Sequence, residues 1–265
     1  MRNLALHQIT MMKDGPAGLV RFAAKAGLRS ICLFTQSPTA ADGSNMFPVV
    51  EAKDKAAFRA LLADHDVTVL NAEYFPIMAD ADVSSYLPAI GLAGELGAKR
   101  IVTHVQDSDP IRAEDQLASL CRLAADHGLD VGLEFTGFAK GCNNIDKAVW
   151  LVGKLQQPNL NIAVDALHLF RTGGSLQKLA AIDPALIGYA QICDGPDFRI
   201  SDDYVEEAMN RMIPGAGIFP LREFLALLSA EVDLDIEVPQ FSGGAAFDPE
   251  QWALYAIAAS RSLFE

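Results

Sequence analysis

The sequence contains no uninterrupted apolar run of the roughly 18 residues that a membrane span requires. Lys, Arg, Asp or Glu interrupts every candidate stretch. The first residues, MRNLALHQITMMKDG, have too short an apolar segment and no small-residue cleavage site for a secretory signal. The pattern excludes a membrane-spanning protein and predicts a cytoplasmic one.

Cysteine is scarce, with 4 residues among 265. Cys32, Cys121, Cys142 and Cys193 lie far apart and form no CxxC pair. Disulfide-stabilised domains and zinc ribbons need more cysteines at closer spacing. We therefore expect reduced cysteines that serve in packing.

Basic residues are also few, because 21 Lys and Arg face 34 Asp and Glu, which gives a net charge of −13. Such a balance opposes the phosphate neutralisation on which nucleic-acid binding depends. It disfavours DNA and anionic membranes as partners. A small-molecule substrate remains the expected partner, since the charge of a local site can differ from that of the whole protein. Association into a homo-oligomer is left open.

Short apolar runs alternate with amphipathic segments along the whole chain. In the spacer before the fifth run, Leu117, Leu120, Cys121 and Ala124 follow helical spacing. Eight units in 265 residues average about 33 residues each, as in a (β/α)8 barrel. The sequence therefore predicts an α/β TIM barrel forming one domain over residues 1–265. The predicted strands are residues 3–9, 28–34, 67–73, 99–105, 130–135, 160–165, 187–193 and 234–238.

An open, doubly wound sheet is the alternative arrangement of such units. There the first strand, turn and helix usually carry GxGxxG, whereas this chain has TMMKDGPAGL at that point. The missing glycines disfavour a nucleotide-binding sheet. The longest break in the alternation is the loop from Gly195 to Gly217.

Four polar residues occupy late positions in strands where the pattern would otherwise place Val, Ile or Leu. They are Glu134, Asp165, Gln191 and Glu237, on predicted strands five to eight. Active sites of TIM barrels are built at the carboxyl ends of the strands. Because adjacent strands lie ~4.8 Å apart, inward-facing side chains at one level can meet at a common point.

Three carboxylates at one point repel each other, by about 4 kcal/mol for two charges 4 Å apart at an effective dielectric of 20. A divalent cation would relieve this repulsion. The all-oxygen set favours Mn²⁺ or Mg²⁺, although Zn²⁺ or Co²⁺ could also bind. Each acid could instead form a buried salt bridge or cap a helix, and Gln191 could be a hydrogen-bonded strand amide. Asp194 and Gln240 are nearby alternative ligands.

His168 lies three residues after Asp165, and His104 closes the fourth predicted strand. Both are candidates for substrate contact. Either could equally be a histidine satisfied within the core. Further along, Ser242-Gly243-Gly244 could receive a phosphate at a helix N-terminus or simply form a turn.

Several longer segments resemble a known family. GLEFTGF, DALHLFRTGG, QICDGP with RMIPGAGIFPL, and DIEVPQ together resemble the sugar phosphate isomerase/epimerase superfamily with the xylose isomerase-like TIM barrel. The most specific segments are Asp165-x-x-His168 with its trailing Arg171-Thr-Gly-Gly, and the Pro214-Gly-x-Gly loop. The likeness extends over essentially the whole chain.

The resemblance implies roles for individual residues. A divalent metal held by Glu, Asp, His and Glu in the family maps onto Glu134, Asp165, Gln191 and Glu237, with glutamine replacing the usual histidine. The metal would chelate an α-hydroxy carbonyl group and stabilise an enediolate. Glu134 and Glu237 are then the expected catalytic acid and base. His104 and His168 would hold substrate oxygens, and Arg199 would bind an oxyanion or lie on the surface.

The resemblance leaves several functions open. The leading hypothesis is a sugar isomerase or epimerase that acts on a sugar or a related polyhydroxy carbonyl compound. The second is a dehydratase or lyase on the same scaffold, with a keto-inositol, dehydroshikimate or keto-glycoside substrate. Free-ketose 3-epimerases of the family carry a second acid six residues after the first metal glutamate, where this chain has Lys140. That loop cation would suit a substrate carboxylate or phosphate, or be solvated. An abasic-site endonuclease and a non-catalytic binding protein are less favoured alternatives.

Overall fold

Eight parallel strands close into a barrel in the order of the sequence. The computed structural model describes residues 2–40, 42–242 and 247–265. All eight predicted strands are confirmed, each within about two residues of its expected position, so the (β/α)8 prediction holds. The strands are β1 Leu4–His7, β2 Ser30–Phe34, β3 Thr68–Glu73, β4 Arg100–Thr103, β5 Asp130–Glu134, β6 Leu160–Asp165, β7 Ile187–Ile192 and β8 Asp233–Ile236.

Helices surround the barrel and connect successive strands. Gly27, Gly97 and Gly128, which follow α1, α3 and α4, adopt the left-handed conformation with φ of +73°, +78° and +72°. Glycine is common in this conformation just after the end of a helix. The helices are α1 Gly15–Lys25, α2 Lys55–His65, α3 Leu87–Glu95, α4 Pro110–Ala125, α5 Ile145–Leu155, α6 Ala166–Arg171, α7 Leu176–Ala180, α8 Tyr204–Met209, α9 Leu221–Leu227 and α10 Pro249–Ser262.

The main hydrophobic core lies between the barrel and the helices, because alternate strand residues point outward. Leu6, Leu133 and Leu234 belong to this core together with Leu117 and Leu120 of α4. The four cysteines are buried, and none of them forms a disulfide, as predicted. Within the described ranges, no helix is both long and apolar enough to span a membrane.

The interior of the barrel is polar at its amino end. Arg100 is 1% exposed; it donates to Asn71 Oδ1 at 2.9 Å and to Asp233 Oδ2 at 3.0 Å, and its guanidinium lies 5.1 Å from the Tyr189 ring centre. The Tyr189 ring fills the barrel beside Gly132, where a Cβ would lie only 2.9 Å from the ring. The barrel is therefore closed below the carboxyl ends of the strands, which leaves that end for the site.

We expect Asp233→Asn to lower the free energy of unfolding by about 3 kcal/mol at neutral pH, because it removes the charge that compensates the buried Arg100. Burial alone would raise the pKa of Asp233, but hydrogen bonds from Lys99 and Arg100 hold this pKa below its usual value. The stabilisation is therefore complete above the ordinary pKa of an aspartate and is lost as the pH falls through the lowered one. Urea denaturation at pH 7 and at acidic pH measures both effects.

Asp66→Asn is the matched control, because Asp66 is exposed and its carboxylate lies 3.5 Å from Arg29. Equal stability of Asp233→Asn and the wild type at neutral pH would contradict the assignment. A difference that persists unchanged in acid would also contradict it.

Candidate active site

The carboxyl ends of the last four strands bring the predicted rim residues together. Glu134 and Asp165 end β5 and β6, Gln191 lies on β7, and Glu237 follows β8. Ligand atoms of Glu134, Asp165 and Glu237 all lie within 4.8 Å of one another, and the three residues are buried. Gln191 Nε2 donates a hydrogen bond to Glu237 Oε2. The expected convergence of the four side chains is present.

Asp165 has two roles, one for each carboxylate oxygen. Oδ1 accepts a hydrogen bond from the His168 backbone N–H at 2.9 Å and so caps α6. This cap explains the Asp-x-x-His spacing, because a helix N-cap accepts from the residue three positions later. Oδ2 is left facing the site. The helix-cap and site interpretations of Asp165 are therefore compatible.

An arginine that the sequence analysis did not single out enters the site from the long loop. Arg211 is 4% exposed, and its Nη1 lies 2.6 Å from Asp165 Oδ2 and 3.1 Å from Glu237 Oε2. Its Nε donates to the Ala208 carbonyl at 3.0 Å. The guanidinium is thus fixed by backbone contacts as well as by carboxylates. It gives the site a permanent positive charge.

The donor set of this site fits a divalent cation. Gln191 is fully buried, and its Oε1 accepts no hydrogen bond from any described residue. Buried polar atoms are nearly always partnered, so an unpartnered amide oxygen beside three carboxylates indicates a missing ligand. Carboxylate and amide oxygens suit a hard cation. Glu134, Asp165, Gln191 and Glu237 are the residues that could hold it.

The two glutamates have different electrostatic surroundings. Burial alone would raise the pKa of Glu134, but His104 and His168 with Arg211 lower it to about 2. Burial raises the pKa of Glu237 well above its usual value, and Glu134 and Asp165 contribute, although Arg211 and His7 oppose the rise. Groups whose pKa values are pushed apart can serve as separate acid and base.

The two histidines chosen from the sequence both contact Glu134. His104 Nε2 lies 2.8 Å from Glu134 Oε2, and His168 Nε2 lies 3.5 Å from Glu134 Oε1. His168 Nδ1 also hydrogen-bonds the Tyr204 hydroxyl. Burial lowers the pKa of His168 to about 4, although Asp165 and Glu134 oppose this shift. His168 is therefore neutral at physiological pH.

A cavity of about 210 Å³ opens onto these groups. Its polar lining includes His7, Glu73 and the residues Glu134, His168, Arg211 and Glu237 described above. The other wall is apolar. Ligand pockets for drug-sized molecules usually exceed ~300 Å³, so this cavity suits a smaller compound. The apolar wall is formed by Ile9, Phe34, Phe47, Tyr74, Phe138 and Met209.

A larger cavity of about 850 Å³ lies at the opposite end of the barrel, around Asn3, Leu28 and Phe264. Arginines also line it, but their guanidinium groups bind backbone carbonyls. Arg2 contacts the Leu228 carbonyl, and Arg261 contacts those of Ala26 and Gly27. This cavity lacks the carboxylate cluster, so we assign the site to the smaller one.

Two cations considered from the sequence do not reach the cavity. The Arg199 side chain is 89% exposed and lies 3.8 Å from Asp197, so it remains on the surface. Lys140 is exposed, and its carbonyl accepts a hydrogen bond from Lys147. Arg211 is the arginine that the structure places in the site instead. Gly243 and Gly244, considered for phosphate binding, lie outside the described residues.

Asp194, considered as an alternative ligand, instead organises the long loop. Its carboxylate accepts backbone hydrogen bonds from Gly195, Gly215 and Phe219 at 2.8, 2.8 and 3.0 Å. A Cβ at Gly217 would lie 2.4 Å from Asp194 Oδ1, so the second glycine of the Pro214-Gly-x-Gly motif allows this close approach. The Pro214-Gly-x-Gly motif therefore helps to fix the loop that places Arg211 in the site.

A family model described as "Xylose isomerase-like TIM barrel" matches residues 20–263. The chain belongs to this family. The match covers all four rim residues and the loop that carries Arg211, and it agrees with the resemblance drawn from the sequence motifs. Proteins of this fold with structures similar to this chain include sugar epimerases and a probable dehydratase.

Individual relatives cover different parts of the chain. A 3-dehydroshikimate dehydratase from Pseudomonas aeruginosa is 30% identical over 119 residues, which are 44% of this chain and 18% of that enzyme. A xylose isomerase-like TIM barrel/4-hydroxyphenylpyruvate dioxygenase fusion protein superposes with a TM-score of 0.81 and 20% identity, over 99% of this chain and 42% of the fusion. The chain thus spans less than half of either protein.

A zinc-containing structure has the same fold. The IOLI protein with a bound zinc atom superposes with a TM-score of 0.79 and 17% identity, over 99% of this chain and 98% of that one. At this identity the likeness shows the fold alone. The buried acidic cluster of this chain is, independently of that structure, a group of residues that could hold a metal ion.

Proposed function

We propose that this protein is a divalent-metal-dependent dehydratase of a small cyclic β-hydroxy carbonyl compound that carries a carboxylate, of the dehydroshikimate type. The observation that carries the proposal is the joint placement of three buried carboxylates, the Gln191 amide and the Arg211 guanidinium at the base of one small, partly aromatic cavity. The 3-dehydroshikimate dehydratase relative supports the choice of reaction.

The shape and charge of the cavity favour this substrate class. An apolar wall containing Phe34, Phe47 and Phe138 can cover the face of a compact ring. Arg211 provides a cation suited to a carboxylate group, because its planar fork can bind two oxygens. The numerous carboxylates disfavour a doubly charged phosphate. Together these features fit a small ring acid better than a sugar phosphate.

Glu134, Asp165, Gln191 and Glu237 would hold the metal. When bound, a divalent cation would polarise a substrate carbonyl and so make the neighbouring C–H group more acidic. The protein would thus supply four oxygen ligands, and other contacts of these side chains fix their orientation. His104 holds Glu134, and α6 holds Asp165.

The protein's own groups would carry the proton transfers. Glu134 is ionised because of its low pKa, so it can accept a proton from the substrate. The neutral His168 can hydrogen-bond a substrate oxygen through Nε2, since Tyr204 fixes its other ring nitrogen. His104 would orient Glu134 and approach the substrate from the same side.

Isomerisation or epimerisation of a polyhydroxy carbonyl compound is the second candidate. Removal of a proton beside a carbonyl group begins both reactions, and in this one a carboxyl group such as that of Glu237 would return a proton to the carbon. Lys140 replaces the second acid of the ketose 3-epimerases and lies away from the cavity, so this structure offers less for that outcome.

Product analysis distinguishes the two candidates. We expect purified protein to contain a divalent metal and, with Mn²⁺, to convert 3-dehydroshikimate to a product that has lost one water. Removal of the metal with a chelator should abolish the conversion, and Mn²⁺ should restore it. A deuterium-labelled product of otherwise unchanged formula from a keto-sugar panel would instead support the isomerase. Metal binding without turnover or C–H exchange on either panel would refute both.

A further inference from the structure

A second cluster of buried polar groups lies beside the cavity, and two of its three members line it. It consists of His7 at the end of β1, Glu73 at the end of β3 and Asp235 on β8. Ligand atoms of the three lie within 4.8 Å of one another, and all three residues are buried. The proposed chemistry has so far used none of them.

The protonation of His7 argues against a second metal at this cluster. The Ile9 backbone N–H donates to His7 Nδ1 at 3.2 Å, which places the proton of a neutral ring on Nε2. Burial opposes protonation, yet Glu73 with Asp235 and Glu237 raises the pKa of His7 to about 10. A doubly protonated ring would give up the Ile9 contact but would also carry a proton on Nε2. In either state Nε2 offers no lone pair to a metal.

Two atoms of this cluster have, in the described part of the chain, no hydrogen-bond partner except each other, and their residues line the cavity. His7 Nε2 lies 3.0 Å from Glu73 Oε1, but neither atom makes a well-directed hydrogen bond to a described residue. His7 is 1% exposed and Glu73 is 5% exposed, and both line the cavity. Buried polar atoms are rarely left unpartnered. A hydroxyl group fits both, because it can accept from Nε2–H and donate to the carboxylate.

The position of the cluster suits departure of a leaving group. In a closed barrel of eight strands in sequence order, β1 lies opposite β5, which carries Glu134. A substrate between them therefore meets the proposed base on one side and the His7–Glu73 pair on the other. Asp235 places a second carboxylate near the single imidazole, and repulsion between carboxylates favours a proton on the cluster.

We propose that His7 and Glu73 form the subsite for the leaving β-hydroxyl group, and that His7, held protonated by the Glu73 carboxylate 3.0 Å away, protonates this group as its C–O bond breaks. The inference rests on the proposed dehydratase function. The base opposite takes the C–H proton, and that electron pair becomes the new C=C bond. The C–O electron pair stays with the oxygen, which takes the His7 Nε2 proton and leaves as water. His7 remains neutral beside the Glu73 carboxylate until Nε2 is reprotonated from solvent.

The test is Glu73→Gln in the metal-loaded full chain with 3-dehydroshikimate in deuterated water. We expect dehydration to fall roughly 100-fold or more, the usual contribution of a general acid. Deuterium should still enter the recovered substrate, because C–H removal on the opposite side is retained. An analogue with fluorine in place of the β-hydroxyl needs no protonation to leave, so its elimination should proceed at close to the wild-type rate. Glu95→Gln, which removes a surface carboxylate 2.8 Å from Lys55, should match the wild type.

Thermal denaturation first establishes that Glu73→Gln is folded, and Glu73→Asp, which keeps a carboxylate to pair with His7, should recover part of the activity. Loss of exchange and dehydration together, failure of the fluorinated analogue, or full activity of Glu73→Gln would each overturn the proposal. Wild-type protein that neither dehydrates nor exchanges this substrate would instead refute the proposed function, and the inference would fall with it.

Discussion

Replacing Glu134 by glutamine is expected to lower kcat/KM by roughly 10³-fold or more, because it removes a proton acceptor and a metal ligand in one step. The amide has nearly the shape of the carboxylate, so the barrel should remain folded. It cannot, however, remain negative between His104 and His168, which lie 2.8 and 3.5 Å from its oxygens. Steady-state kinetics of the metal-loaded variant measure the loss.

Metal titration separates the two contributions of Glu134. We expect weaker Mn²⁺ binding, so activity should be compared at saturating Mn²⁺, where the remaining defect reports the lost proton acceptor. Solvent deuterium should no longer enter the substrate, in contrast to the outcome expected for Glu73→Gln. Glu51→Gln is the control, because it removes an exposed carboxylate 2.8 Å from Lys53. Wild-type exchange by Glu134→Gln would contradict its assignment as the base.

The strands and the rim residues could be predicted because one rule governs both. Strands covered on two faces are nearly continuous in apolar residues, so a carboxylate such as Glu134 or Asp165 interrupts the pattern visibly. Its position late in the strand then places it at the end where TIM barrels build their sites. The order of the strands fixes which rim residues are neighbours. Local sequence was sufficient for each of these steps.

The other half of the site could not be predicted in the same way. Glu73 also ends a predicted strand, but only the closed barrel shows that it faces His7 across β2. His7 lies on the first predicted strand, where the local pattern does not distinguish a core histidine from a site residue. The role of both residues depends on the contact between them. They lie far apart in the sequence, so local sequence patterns do not show this contact.

Local sequence also does not show which arginine of the long loop, Arg199 or Arg211, enters the site. Both arginines lie in the break from Gly195 to Gly217, and nothing in their local sequence says which one turns inward. The decision depends on Asp194, which binds backbone groups at both ends of the break, and on the pairing of Asp194 with Met212. These contacts point Arg211 into the barrel and leave Arg199 outside.

Arg211→Met should destabilise the metal-free protein by about 3–5 kcal/mol, the usual cost of removing one partner from a buried ion pair. Methionine fills much of the same volume but leaves Asp165 and Glu237 without the cation that lies 2.6 and 3.1 Å away. The remaining carboxylates would then repel each other in a buried site. Urea denaturation in the presence of a chelator measures this loss against the wild type.

A divalent cation should recover much of that stability, because it supplies the positive charge that Arg211 no longer provides. At a Mn²⁺ concentration of about 100 times Kd, binding to the native state adds about 2.7 kcal/mol. We expect the increase in Tm on adding Mn²⁺ to be larger for Arg211→Met than for the wild type, since the arginine and the metal share the same carboxylates. Activity should remain low even with Mn²⁺, because the substrate carboxylate has lost its cation. Arg29→Met, on the surface, should change neither quantity. Equal Mn²⁺ stabilisation of both proteins would show that the cation binds elsewhere.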